Sequence, residues 1–542
     1  MTGRERVTKT IRLEKTDRVP WVPFVGSHAA SLLDMSPTEY LQSEDAIVRG
    51  VTKAVEMYYP DGIPVLFDLQ IEAEAMGCDL RWSDDNPPAV VSHAMQGRPL
   101  SDFEMPTMND GRIPMMMNAT RTLREKLPDT ALFGLITGPF TLALHQLGID
   151  IFMQMFDDPE GIKKFIMKMH DVGIMLAKGF MDAGCDVVAV VDPMTSQISP
   201  EHFQEFVTPA LKGIYTYIRD SGGLSSLFVC GDAQKNITVM ADSKPDNICI
   251  DENIPLDFVK SECLSRGISF GGNMRLTTVM LMGTPVDNQA HAIDCMNVGG
   301  ETGYILAPGC DIPYATPPEN ISAISKVVTD PYEKQIAIEL AEKQESSSVP
   351  EFDLSEYGRA NKVIVDIITL DSEGCAPCQY MVESVRNAIQ DFEGLVEWRE
   401  HKIKHTKGVA FMASLMVRNI PTICIDGKIK FVSIMPKREE LIKAIQDRIN
   451  EKLRYKISRK RAQILVFGDD GETSQDALKN VKTAIHEMGT DVEAVLVTDP
   501  KVHNEYGIRR LPTVVTAKYS VKTVESVPDV AIIKEWIKML EG

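Results

Sequence analysis

SSLFVCGD (residues 225–232) and GYILAPGCDIP (303–313) decide how this chain folds. In the first, Leu227, Phe228 and Val229 run into Cys230, and Gly231 and Asp232 end the run. In the second, Tyr304 to Pro308 run into Gly309, Cys310 and Asp311. A short apolar run closed by turn residues predicts a buried strand. Six further runs have the same character: VPWVPFV (19–25), GIPVLFD (62–68), ALFGLIT (131–137), DVVAVVD (186–192), NICIDEN (247–253) and ISFGGNM (268–274). Amphipathic stretches lie between them, such as SPTEYLQSEDAIVRGVTKAVEMY, where Ser36 and Pro37 suit an N-cap and a first helical position. Strand and helix in alternation predict a parallel sheet, and eight such strands predict a (β/α)8 TIM barrel over residues 1–335.

A barrel of this kind gathers its functional groups at the C-terminal ends of its strands. Cys230 ends the fifth candidate strand and Cys310 follows the eighth, so the two thiols are expected at one mouth. His28, Asp68, Asp192, Asp251 and Asn273 on other strands, and Asp232 after the fifth, fall at the same level, a polar ring that suggests substrate binding.

Residues 336–360 are polar, rich in serine, and read as a linker. Residues 361–455 begin with a strand, a loop, Cys375-Ala-Pro-Cys378 and a helix. Two cysteines at a helix N-terminus form a redox-active pair, with the first thiolate stabilised and its pKa lowered by the helix. The alternative of half a zinc site lacks a second CxxC. Residues 460–542 repeat the scheme without cysteines.

Composition narrows the function. The 57 basic and 77 acidic side chains give a net charge of −20, which disfavours nucleic acid. No apolar run is long enough to cross a membrane, and the charged start MTGRERVTKTIRLEK predicts no secretory signal. Ten scattered cysteines suit a reducing, cytoplasmic setting. Most of the 28 methionines read as core filler.

Residues 361–455 resemble the thioredoxin fold, with Pro421 of Ile420-Pro421 at the position where that fold places a cis-proline beside its cysteines. Gly374 stands where the family carries tryptophan. Residues 460–542 resemble a silent copy, with Leu511-Pro512 at the same position. The barrel segments GRERVTKTIRLEKTDRVPWVP, VLFDLQIEAEAMGCDL, LITGPFTLALHQLG, ISPEHFQEFVTPALKGI and YILAPGCDIPYATPPENI resemble the uroporphyrinogen decarboxylase superfamily. Within it they are most similar to the corrinoid-dependent methyltransferases of the methylcobamide:coenzyme M type. The decarboxylases carry arginines soon after the first strand, whereas this chain has VGSHAASLLDM there, so porphyrinogen decarboxylation is the weaker reading.

The resemblance implies a methyl group moved between a partner corrinoid protein and a small acceptor, with zinc holding a thiol. The family's zinc ligands are a His-x-Cys on the fifth strand and a cysteine after the eighth. Cys230 and Cys310 match the cysteines, and Phe228 stands at the histidine. Weak zinc binding is therefore expected. Three accounts of this departure stay open. His28 supplies a third ligand, with Asp232, Asp251 or Cys249 as weaker candidates. Or Cys230 and Cys310 act as a dithiol that exchanges with Cys375 and Cys378. Or the barrel only docks a corrinoid protein or methyltransferase, and the chain is a thiol–disulfide redox protein. The sequence leaves a homo-oligomer open.

Overall fold

Prolines decide where the first predicted strand fails. A computed structural model describes residues 1–341, 357, 362–392, 394–417, 419–459, 462–488 and 492–518. Seven predicted strands form one parallel sheet in the order Gly62–Pro64, Ala131–Thr137, Val187–Val191, Leu224–Val229, Asn247–Ile250, Ser269–Met274, Tyr304–Pro308. The run at 19–25 is not a regular strand. It makes a single parallel bridge, Trp21 to Leu306. Pro20 and Pro23 have no N–H to give a ladder. The run still spans the gap between the first and last strands. The Val22 N–H donates to the Leu306 carbonyl at 3.0 Å, and the Asp61 N–H donates to the Trp21 carbonyl at 2.8 Å. The sheet thereby curls into a TIM-like barrel.

Both faces of each strand are buried, as a barrel ringed by helices requires. Phe133 and Leu135, Ala189 and Val191, Phe228, Cys249, Ile305 and Ala307 share the interior cluster. Their alternating neighbours Leu132, Ile136, Val190, Leu227, Val229 and Ile250 join the cluster made with the helices. The first predicted helix divides in two. Ser36 caps Pro37–Tyr40 through a reciprocal bond with Glu39, and Ser43 caps Glu44–Tyr58.

The chain forms two compact units, Met1–Leu441 and Ile442–Gly542. The first holds the barrel and a four-stranded sheet ordered Val396–Lys402, Val363–Thr369, Thr422–Ile425, Lys428–Val432. Its first pair is parallel and the others antiparallel. Helices Ala376–Ile389 and Thr406–Ser414 connect its strands, and the Ile420–Pro421 bond is cis. The second unit has a three-stranded sheet, Glu493–Val497, Ala462–Phe467, Thr513–Lys518, with helix Glu472–Glu487 and a cis Leu511–Pro512 bond. Most of the predicted linker and the C-terminal end of the predicted cysteine-free repeat, from 519 on, lie outside the described residues.

Candidate functional site: a cysteine-lined cavity at the barrel mouth

Cys230 and Cys310 meet at the C-terminal end of the strands, their sulfurs 2.7 Å apart. Both are free thiols, partly exposed. The chain turns sharply after Cys230 because Gly231 adopts φ +86°, a conformation L side chains rarely take. The Gly231 N–H then donates to Asp251 at 2.9 Å. Side chains alternate along a strand, so Phe228 and Cys230 face the same way, into the barrel. Phe228 packs on Phe24 (5.1 Å between centroids) and edge-on to Phe67 (6.2 Å), and the three rings form an apolar floor. Cys249 lies deeper, its sulfur 3.3 Å from the Asn247 side-chain oxygen. The Cys230 thiol is pushed well up by its contact with Cys310 and by burial. In Cys310 the contact with Cys230 pulls the other way, but burial and Asp251 and Asp311 outweigh it, so this thiol too is raised.

A cavity of about 300 Å³ opens over this pair. Its barrel wall includes Asp251, Glu252 and Asp311 beside the two cysteines. Each carboxyl accepts backbone N–H bonds: Asp311 from Gly26 (2.8 Å), Asp251 from Gly231, and Glu252 from Leu276. Burial pushes Glu252 and Asp311 up to about 8, and raises Asp251 as well. Among the described residues, Lys404 is the only lysine or arginine in the lining, and it is bound to Asp371 (2.6 Å) and Asp85 (3.1 Å).

The opposite wall is the CxxC face. Cys375, Cys378, Ile420 and Pro421 line the same cavity. Cys375 caps helix Ala376–Ile389 and is partly exposed, whereas Cys378 is fully buried. The expected lowering of the Cys375 pKa is not what the structure gives. Contact with Cys378, burial and the nearby Asp251 push this thiol well up, and the opposing pull of the Cys378 backbone does not offset them. Four contacts hold this face to the barrel. Gln379 donates to the Val90 carbonyl (2.6 Å), Asn419 donates to Asp232 (2.7 Å), Lys404 pairs with Asp85, and Tyr380 sits 3.2 Å from His145 Nδ1 and stacks on His93.

The other predicted site residues are occupied elsewhere. His28 opens a short helix and is fully buried, with Nε2 2.7 Å from the Tyr58 hydroxyl and Nδ1 facing the Tyr314 carbonyl, so it is not a ligand beside the cysteines. Asp68 is paired with Arg112 at 2.5 Å. Asp192 accepts from the Phe140 and Thr141 N–H groups at the start of helix Pro139–Leu147. Asn273 donates to the Asp251 and Ile254 carbonyls and fixes that loop. Asp232 holds Asn419 rather than facing the cavity. None of these, nor Phe228, lines the cavity; Asp251 does. Sequence reading passed over Glu252, Asp311 and Tyr380. Asp311, directly after Cys310, had a signal in the shared cysteine-then-aspartate pattern of the two strand ends.

The donor set does not fit zinc. Two sulfurs on one tetrahedral zinc, each ~2.3 Å from the metal, would stand about 3.8 Å apart. Here they are 2.7 Å apart, and Phe228, on the same face of the strand as Cys230, has no donor atom to offer. Among the described residues no three His, Cys, Asp or Glu side chains are placed to hold a metal ion.

Fold and site together define a thiol-lined α/β barrel of the URO-D type. The uroporphyrinogen decarboxylase (URO-D) family matches residues 2–330, and the chain belongs to it. A methylcobamide:CoM methyltransferase of Methanosarcina acetivorans is 25% identical over 330 residues, 59% of this chain and 95% of that protein. A uroporphyrinogen decarboxylase of Anaeromyxobacter dehalogenans is 24% identical over 343 residues, 60% and 97% of the two chains. The solved structure of a methyltransferase from Methanosarcina mazei aligns with a TM-score of 0.56 at 22% identity, over 62% of this chain and 99% of that one.

Proposed function

We propose that the barrel moves a methyl group between a partner corrinoid protein and a small thiol bound at Cys230 and Cys310. The observation that carries this is the cysteine pair at the mouth of a barrel matched almost end to end by methylcobamide:CoM methyltransferases. A methylated corrinoid would supply a methyl group that the acceptor sulfur takes while cobalt keeps the bonding electron pair, and the thiol proton is released. The residues here bind and orient the acceptor. Phe67, backed by Phe24 and Phe228, gives the cavity an apolar side that excludes water, and the two cysteines, which hold their protons at neutral pH, offer hydrogen bonds to the acceptor sulfur. Porphyrinogen decarboxylation is disfavoured, because a polycarboxylate would meet five carboxyls and a single lysine, Lys404, already paired with two of them.

The rest of the chain we read as a thioredoxin-like unit at 361–455, bearing a redox-active dithiol, and a cysteine-free copy at 460–542. The order of the four-stranded sheet, Cys375 at a helix N-terminus and the cis Ile420–Pro421 bond beside it support the first. The cysteine-free loop and cis Leu511–Pro512 bond support the second. This gives the chain a second chemistry, thiol–disulfide exchange.

The test is methyl transfer from a methylated corrinoid protein to a panel of small thiols, read as thioether formation by the full chain. Transfer that is lost in Cys310→Ser supports the reading. Absence of transfer to every thiol, with a methyltransferase control active in the same assay, overturns it.

A further inference from the structure

We propose that the Cys375–Cys378 dithiol acts on the barrel's own Cys230–Cys310 pair, and so switches the barrel mouth between an open dithiol and a closed disulfide. The inference rests on the reading of that mouth as the thiol site, and it names the partner of the CxxC unit and the regulation it exerts.

Three observations carry it. The first is shared space: all four cysteines line one cavity of about 300 Å³. Asp251 acts electrostatically on Cys230, Cys310 and Cys375 alike, and Cys375 acts on Cys230, so the two pairs lie within reach of the same charges. The second is occupancy. A dithiol unit of this kind presents its cysteines and cis-proline to whatever it reduces. Here that face is already covered by the barrel, clasped by Gln379 to Val90 and by Asn419 to Asp232, two residues beyond Cys230. The third is geometry. The partly exposed Cys375 and the buried Cys378 divide the roles of attacking and resolving thiol. Opposite them, the 2.7 Å between Cys230 and Cys310 leaves little movement before a disulfide of ~2.05 Å forms.

The step balances without an outside catalyst. The Cys375 thiolate attacks Cys230 in the Cys230–Cys310 disulfide, that bond breaks, and Cys310 leaves as a thiolate that takes up a proton. The Cys378 thiolate then attacks the Cys375 sulfur and releases Cys230, which takes up the second proton. Two electrons and two protons pass from the CxxC to the barrel. The barrel pair is oxidised by an organic disulfide, such as the disulfide form of an acceptor thiol. The CxxC is re-reduced by an external dithiol. While the barrel pair is a disulfide, neither sulfur can bind an acceptor.

The experiment uses the full chain. Cys378→Ser is treated with hydroxyethyl disulfide and digested without reductant. A peptide pair joining Cys375 to Cys230 or Cys310 is expected, and its absence overturns the proposal. Separately, the oxidised protein is given limiting dithiothreitol, and reduction of Cys230–Cys310 is followed by alkylation and mass mapping. In Cys375→Ser this reduction is expected to slow at least about tenfold, because an intramolecular route is lost. Serine is a favoured N-cap, so this variant keeps its helix. Equal rates, or no Cys230–Cys310 disulfide under the organic disulfide, overturn the switch. These readouts do not use methyl transfer: a trapped Cys375 link in a protein that methylates no thiol upholds the switch and removes the methyltransferase reading.

Discussion

The ring of Phe228 rests 5.1 Å from that of Phe24, in the interior cluster against which Cys230 and Cys310 pack. Phe228 stands where the resemblance calls for an imidazole, and the packing shows a ring built into an aromatic floor. Phe228→His is expected to convert the pair into a three-ligand site. Metal analysis should then find about one zinc per chain, bound more tightly than by the parent protein. Without zinc the variant should lose about 2 kcal/mol of stability, since a polar ring replaces an apolar one in a buried cluster. Added zinc should restore it in thermal unfolding. No gain of zinc would mean that Cys230 and Cys310 cannot separate enough to share a metal.

The clasp over the mouth makes a second prediction. Gln379 and Asn419 each contribute one hydrogen bond across it. Each bond is worth about 1 kcal/mol, so the double variant Gln379→Ala, Asn419→Ala should open the face by about thirtyfold. The rate of Cys375 alkylation by a bulky reagent should rise by at least about tenfold, while Cys185, buried in the barrel, stays protected. An unchanged rate would show that Tyr380 packing and the Lys404–Asp85 ion pair hold the face without these two bonds.

These two sites show what the sequence can and cannot reveal. The strand ends are readable because a strand buried on both faces is a short continuous apolar run closed by turn residues; Cys230 and Cys310 follow two such runs, and alternation along the strand puts Phe228 on the face of Cys230. The segment 19–25 has the same apolar content, yet Pro20 and Pro23 reduce it to one bridge. The polar ring was harder to read. Strand-end position does not say whether a carboxylate faces a cavity, as Asp251 does, or caps a helix, as Asp192 does. The raised Cys375 pKa is not legible in the sequence for a related reason. The helix N-terminus is local, but burial against Cys378 and the charge of Asp251 come from the tertiary arrangement.

The lining also sets the charge of the acceptor. Lys404, its only lysine or arginine among the described residues, is bound to Asp371 and Asp85, and Glu252 and Asp311 ionise only near pH 8. A thiol with a sulfonate or carboxylate would bury its charge without a partner. With cysteamine, mercaptoethanol and mercaptoethanesulfonate compared at pH 7, the anionic thiol is expected to have at least about tenfold lower kcat/KM. Its disadvantage should grow as pH passes 8 and the carboxyls ionise. Preference for the sulfonate would require Lys404 to leave Asp371 on binding.

The last prediction concerns Glu72, in the short helix Ile71–Ala75 beside the mouth. Glu72 is 3% exposed and accepts the Thr137 N–H at 2.7 Å, and its other oxygen lies 2.9 Å from the Thr137 hydroxyl. That hydroxyl also donates to the Leu69 carbonyl at 2.8 Å. One hydroxyl proton cannot serve both, so a protonated Glu72 completes the chain by donating to Thr137 Oγ1. Burial pushes the Glu72 carboxyl up to about 7, from 4.5 when solvated. Between these values the folded protein keeps a proton that the unfolded chain gives up. The stabilisation is therefore complete below pH 4.5 and is lost as pH rises through 7, a change of about 3 kcal/mol. Glu72→Gln keeps the donor and the acceptor and cannot titrate. Urea unfolding at pH 5, 6, 7 and 8 should show the variant near the parent at pH 5 and more stable than it at pH 8 by up to about 3 kcal/mol. Parallel curves for the two proteins across that range would mean that Glu72 ionises as readily in the folded chain as in the unfolded one.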